Sequence, residues 1–314
     1  MSRKIKIFIF LFIFSVCLNI FLFIELNKNS VSGDSFKLIN PIENIPIDSN
    51  NQGSGIILHY EGLRNTIIQD VKEYNMTGNV SIFIQDAKTG GWLGINEERG
   101  FEPASLLKIP IMMAVLKKVD RGEIKLDDNI TLTNEDIDPF YGTLYKQGAG
   151  TKISVEELMK KMILTSDNTA KNALKRQLTP EELNAVFVHV GIPNPYDESG
   201  DAVVSSRYYT RLFKSLYFST FLSPALSEKA LDLATDTEEN NLILKGVPPE
   251  VQVSHKFGVY YNELHDCGIV YHPKNPYFIC VMTGDIGNIT KNEELIVKVS
   301  RDTYNFVDNS SSVN

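Results

Sequence analysis

Three short stretches of this 314-residue chain bring together residue types that can carry out acyl transfer. The first is Ser105-Leu106-Leu107-Lys108, preceded by Pro103-Ala104. A serine hydroxyl is a weak nucleophile until a base takes its proton. A lysine stripped of solvent near other cations can lose its own charge and serve as that base. An offset of three puts Ser105 and Lys108 on one helical face, and a helix starting here adds a positive end with free backbone N–H groups. The second stretch is Ser166-Asp167-Asn168 and the third Lys256-Phe257-Gly258. Plain structural explanations exist for each: an exposed helix lysine, a helix N-cap, and an edge-strand lysine with a glycine marking a bulge. Against the first of these, Lys108 interrupts an otherwise apolar helix (Ile109, Ile111, Met112, Met113, Val115, Leu116), so it is expected to be buried for a reason.

Other chemistries have little support. The histidines (His59, His189, His255, His265, His272) show no metal-ligand spacing and read as structural, so neither metal nor cofactor is expected. Three cysteines are too few and too scattered for a disulfide scaffold. Cys267 and Cys280 stand equidistant from the turn at Pro273-Lys274, which places them opposite each other in a hairpin. They are expected to be reduced core residues, since directly paired strands rarely suit bridge geometry.

The elements that must position these residues follow from periodicity. Residues 57–74 carry an apolar helical stripe (Leu63, Ile67, Ile68, Val71), 79–86 alternate as a strand, and 92–96 return as a second strand with Trp92 in its core. A buried helix covers 103–119, and helices follow at 155–164, 169–178, 180–190 and 206–216. Strands at 251–260, 266–271 and 277–283 precede a closing helix at 292–306. This order predicts an α+β fold: a five-stranded antiparallel sheet flanked by N- and C-terminal helices, plus an all-helical lobe. A cleft between the two lobes is the expected place for chemistry. Tyr141 and Tyr145 are expected to pack the helical lobe.

The ends read differently. Arg3, Lys4 and Lys6 precede an apolar run from Ile7 to Ile24, broken only by Ser15, Cys17 and Asn19. That run is long enough to cross a bilayer, and its basic flank holds the N-terminus in the cytoplasm. Residues 1–26 are thus expected to be a signal anchor, 27–55 a flexible extracytoplasmic linker, 56–308 the globular domain and 309–314 a disordered tail. The expected location is the cell membrane, single-pass, with the domain outside. Composition is ordinary for a globular protein at 43% hydrophobic and 22% charged. A net charge of −8 makes nucleic acid an unsuitable partner, and oligomeric state is not legible.

In this order and spacing the three motifs resemble those of class A β-lactamases and penicillin-binding serine hydrolases. Phe101-Glu102-Pro103-Ala104-Ser105, Ser166-Asp167-Asn168-Thr169-Ala170 and His265-Asp266-Cys267-Gly268-Ile269-Val270 extend the resemblance across residues 57–306. The resemblance implies that Ser105 attacks a lactam or peptide carbonyl, with Lys108 as candidate base. Ser166, helped by Lys256, would pass a proton to the departing nitrogen. The backbone N–H groups of Ser105 and Val259 would form the oxyanion hole, while Asn168 and Gly258 would help to bind substrate, and Lys256 would attract its carboxylate. The implied substrates are β-lactams or D-Ala-D-Ala-type peptides.

Two departures bear on activity. Phe257 stands where the family usually has a hydroxyl residue for the substrate carboxylate. Class A enzymes also hydrolyse the acyl-enzyme with a loop glutamate. Glu181-Glu182-Leu183-Asn184 imitates that loop but reads as a helix start, with Thr179 as cap and Pro180 at the first position. The loop is expected at 192–201, where Asp197, Glu198 and Asp201 are the acids and Glu198 is the candidate deacylation base. A loop this poor in bases implies slow deacylation. The candidate functions are a slow β-lactamase, a D,D-peptidase, and a non-catalytic β-lactam or muropeptide sensor.

Overall fold

The structure is a computed structural model that describes residues 37–39, 60–192, 195–196, 202–235, 242–284 and 287–310. The apolar run 7–24, His59, the acids Asp197, Glu198 and Asp201, and residues 311–314 lie outside the described residues. Asn309 and Ser310, expected to begin a disordered tail, instead end the last helix. Among the described residues no helix is long and apolar enough to cross a membrane.

The chain opens with helix α1 (Glu61–Glu73), strands β1 (Val80–Asp86), β2 (Trp92–Ile95) and β3 (Gly100–Phe101), and a 3₁₀ turn, Ala104–Leu107, that runs into α2 (Lys108–Asp120). The middle comprises β4 (Asn129–Thr131), β5 (Lys152–Ser154), α3 (Val155–Leu164), α4 (Asn168–Lys175), α5 (Pro180–His189) and β6 (Val204–Ser205). Next are α6 (Ser206–Tyr217), α7 (Pro224–Leu233) and α8 (Leu242–Lys245). Strands β7 (Val253–Tyr260), β8 (Glu263–Val270) and β9 (Tyr277–Thr283) and helix α9 (Ile289–Ser310) complete it. The main sheet has the order β2-β1-β9-β8-β7, antiparallel throughout. The expected five-stranded α+β architecture is therefore present. Helix α8 and the small pairs β3–β6 and β4–β5 were not expected, because two- to four-residue elements carry no usable periodicity; the ten-residue α7 was not expected either.

Period-two alternation divides the sheet. One face (Val80, Ile82, Ile84, Ile279, Val281, Val253, Phe257) packs with Leu63 and Ile67 of α1 and Leu295, Ile296 and Val299 of α9 into one apolar cluster. The other face looks to the helical part: Ser81 meets Ser206 of α6 at 2.8 Å, and Ser254 donates to Leu231 O of α7 at 2.9 Å.

Three further expectations are corrected, and one plain structural alternative, the bulge at Gly258, falls. Cys267 and Cys280 are directly opposed and joined by a disulfide, with Cα atoms 3.9 Å apart. The closest approaches in an antiparallel ladder come at directly opposed residues that lack mutual hydrogen bonds, which brings two thiols within bonding reach. Trp92 is 45% exposed, because on edge strand β2 its indole lies outward against Phe83 and under the Arg207 guanidinium. Gly258 marks no bulge, since β7–β8 pairing runs through it unbroken. Finally, Leu38 and Ile39, inside the stretch read as a linker, are buried; Leu38 N–H donates to the Glu228 carboxylate and Leu38 O accepts from Tyr271.

Candidate active site

Ser105 sits on the 3₁₀ turn rather than inside a continuous helix from Pro103. In a 3₁₀ turn residues i and i+3 nearly eclipse, so the turn aligns Ser105 with Lys108 at least as well as an α-turn would. Lys108 Nζ lies 3.0 Å from Ser105 Oγ. The turn is held from three sides. Leu106 O accepts from the buried Tyr209 hydroxyl at 2.9 Å, and Glu102 O from His265 Nε2 at 2.9 Å. Gly258 of β7 backs directly onto it: a Cβ there would come within 2.7 Å of Pro103 O. That close approach, not a bulge, is what requires the glycine.

The Ser166 stretch closes over Lys108 from the other side. Ser166 has a left-handed backbone (φ 54°), as does Ala104 (φ 50°) beside Ser105. Non-glycine residues hold such conformations only where surrounding contacts impose them. At Ser166 the result is that both its carbonyl, at 2.5 Å, and its hydroxyl, at 2.9 Å, face Lys108 Nζ. Asn168 Oδ1 adds a fourth oxygen at 3.0 Å. Asp167 is the N-cap expected of this motif: Oδ1 accepts from Ala170 N–H, while Oδ2 accepts from Thr143 and Leu144 N–H. It thereby ties α4 to the segment carrying Tyr141, whose ring centroid lies 5.9 Å from Lys108 Nζ. Tyr141 stands at the site, not merely in the packing of the lobe.

Lys108 is 1% exposed. Its pKa is lowered to about 6, first by desolvation, then by the cations Lys256 and Lys171, with Asp167 and Asp138 opposing. At pH 7 the amine is mostly neutral, with two N–H donors and a lone pair. Among its four oxygen neighbours only the Ser105 and Ser166 hydroxyls can donate to that lone pair. The arrangement can therefore shuttle a proton between Ser105, Lys108 and Ser166.

Ser105, Lys108, Asn168 and Val259 line one cavity of about 450 Å³, together with Glu102, Lys171, Asn172, Lys175, Tyr196 and Tyr260. Two other sequence candidates lie just behind it. Ser166 is fully buried but reaches the cavity through Lys108. Lys256 is also fully buried, within electrostatic range of Lys108, with its ammonium 4.1 Å from the Phe257 ring centroid. Phe257 itself belongs to the apolar cluster on the opposite sheet face. Sequence reasoning missed three contributors. His265 and Tyr209 anchor the Ser105 turn, and Lys171 enters the cavity from α4. Only Lys171, three residues after Asn168, left a signal that could have been read. The rejected Glu181-Glu182 pair does begin a helix, with Thr179 and Glu182 forming a capping box.

The chain resembles β-lactamase VEB-1 of Pseudomonas aeruginosa at 24% identity over 263 residues, covering 75% of this chain and 87% of that protein. PBP-A superposes with a TM-score of 0.71 at 28% identity, over 79% of this chain and 97% of that one. An equally similar structure is a PBP-A variant solved as an acyl-enzyme complex with penicillin-G. A β-lactamase from Sphaerobacter thermophilus shares the fold, with a TM-score of 0.72 at 23% identity over 80% of this chain and 98% of that one. The sequence pattern of the β-lactamase enzyme family matches residues 63–307, from the first turn of α1 to the last turn of α9. On that match, with the architecture agreeing, the chain belongs to the β-lactamase enzyme family and is a serine hydrolase of the β-lactamase type.

Proposed function

We propose that this protein is acylated on Ser105 by β-lactams and releases the acyl group slowly. The observation that carries this reading is the seating of Lys108: buried, 3.0 Å from Ser105 Oγ, and with a pKa lowered to about 6. The neutral Lys108 amine takes the Ser105 proton as Oγ attacks the lactam carbonyl. Charge on the tetrahedral oxygen falls to the backbone N–H groups of Ser105 and Val259, donors of a kind worth about 3 kcal/mol each. The C–N bond then breaks. The departing nitrogen takes a proton through Ser166, assisted electrostatically by Lys256, while Asn168 holds the side-chain amide of the substrate and Gly258 keeps the wall of the site thin.

Slow release rests on the scarcity of bases. Glu102 is the one carboxylate among the described cavity-lining residues, and its Oε1 already accepts from Ala104 N–H. Glu198 is the reserve candidate for activating water. Likeness to PBP-A, a variant of which was solved as an acyl-enzyme complex with penicillin-G, supports acylation by a penicillin, and a D,D-peptidase is the second reading. The run from Ile7 to Ile24 supports presentation of the domain from a membrane anchor, outside the cytoplasm.

The test is a time course of mass spectra after exposure to benzylpenicillin. A stable adduct on Ser105, absent from Ser105→Ala with an unchanged thermal midpoint, is the expected result. Loss of the adduct within seconds would overturn slow release, and no adduct at all would overturn the acyl-enzyme reading. A sensor without turnover would keep its adduct indefinitely, even with cell-wall peptides present.

A further inference from the structure

One stripe of α4 carries charge into the cavity that the reaction above leaves unused. Asn168, Lys171, Asn172 and Lys175 follow at offsets of three and four, and all four line the cavity. The stripe starts at the reacting centre, where Asn168 Oδ1 meets Lys108 Nζ. At a 1.5 Å rise per residue, Lys171 lies about 4.5 Å and Lys175 about 10.5 Å farther along the helix axis. Asn172 is occupied, donating to Asp136 O at 3.2 Å. The two lysine side chains are not: among the described residues neither Nζ has a hydrogen bond or ion pair, and the only hydrogen bonds of these residues are those of the helix backbone.

Elsewhere in the molecule Lys117, Lys118, Lys161, Lys229, Lys274 and Lys298 each pair with a carboxylate. An exposed Lys175 alone would be an ordinary solvated lysine. Lys171 is half-buried, however, and its pKa is lowered, first by desolvation, with Asp138 opposing and Lys175 adding to the effect. Two cations are thus held side by side along a cavity wall, in a chain whose net charge is −8. A second cavity of about 610 Å³, lined partly by Leu178, Pro180 and Leu183, shares Lys175 and Tyr196 with the first. The groove therefore continues past the lysines.

We propose that Lys171 and Lys175 form an anion subsite for a carboxylate on the acyl side of the substrate, so that acidic acyl donors are preferred over neutral ones. This rests on acylation at Ser105, with the amide held by Asn168; whatever extends beyond that amide then runs along α4. A peptide stem bearing a side-chain carboxylate fits this chemistry, and an uncharged acyl group leaves both cations unsatisfied.

The experiment compares second-order acylation rates for benzylpenicillin and its α-carboxylated analogue at pH 7. The readout is the ratio of the two rates, because Lys171 also helps to depress the Lys108 pKa and any loss of that effect slows both reactions alike. The ratio should fall about tenfold in Lys171→Met, which corresponds to 1.4 kcal/mol of selective binding. It should fall less in Lys175→Met, persist in Lys171→Arg, and shrink in wild type as salt is raised. A ratio equal in wild type and Lys171→Met, with both proteins still labelled, overturns the subsite alone. If neither penicillin labels wild type, the acyl-enzyme reading falls and the subsite with it.

Discussion

The two faces of the central sheet are buried alike and built from different chemistry. Beneath one lie Ile82, Ile84, Ile279, Val281 and their partners from α1 and α9; the ionisable groups there are paired, His255 with Asp266 at 2.8 Å and Asp70 of α1 with Lys298 of α9 at 3.0 Å. The other carries Ser81, Ser254, Lys256 and His265, and beyond them the buried Lys108. A desolvated amine costs stability wherever it sits. The comparison teaches that this cost is confined to the face where α2, α4 and β7 converge, while the opposite face supplies apolar burial. Reactivity and stability are thus assigned to opposite sides of the same strands, and mutations should separate them.

The sharpest separation is expected at Lys108. Lys108→Met should slow acylation by about a thousandfold, within the usual range for losing a general base. In wild type the rate should rise with pH through about 6, where the amine becomes neutral, and level off above. Stability should move the other way. Because the folded pKa is about 6 against an ordinary 10.5, the unfolded chain binds more protons between those values, and the burden of Lys108 lessens as pH rises. Lys108→Met should therefore melt higher at pH 7, by about 3 °C for each kcal/mol relieved, with the gap closing toward pH 10.5. A variant that melts lower and still labels normally would erase the distinction between the faces.

Truncation on the other face should reverse the pattern. Ile279→Ala is expected to cost about 2–5 kcal/mol in denaturant unfolding. The labelling rate of the folded fraction should stay within about twofold, because the site is remote. A large loss of rate at full folding would mean that the faces are coupled.

The smallest effect is expected at His265, which links a strand to the Ser105 turn. Its Nδ1 accepts from Thr283 N–H, so Nε2 carries the proton given to Glu102 O. Burial lowers its pKa to about 4. The folded state then binds fewer protons than the unfolded state below pH 6.5, and stability should decline as pH falls from 6.5 toward 4. His265→Gln, which can keep both hydrogen bonds without titrating, should flatten that decline. An unchanged decline would assign it to other groups.

Much of this protein was legible before its structure. Ser105, Lys108, Ser166 and Asn168 could be found because their chemistry demands particular side chains at short offsets, and local spacing survives in a linear string. The strand at Tyr277–Thr283 was legible to the residue, since buried β-rich runs end at recognisable turns. What tertiary structure alone decided involves distance between remote segments. Trp92 turned outward because β2 became an edge, and Phe257 went to the core because the alternation of β7 faced it there. Leu38 docked against Glu228 and Tyr271, far along the chain. The left-handed backbone at Ala104 and Ser166, and the lowered pKa of Lys108, arise only when α2, α4 and β7 exclude water together. Composition names the groups, but proximity sets their charge, because desolvation and Coulomb energy depend on separation in space and not on separation in sequence.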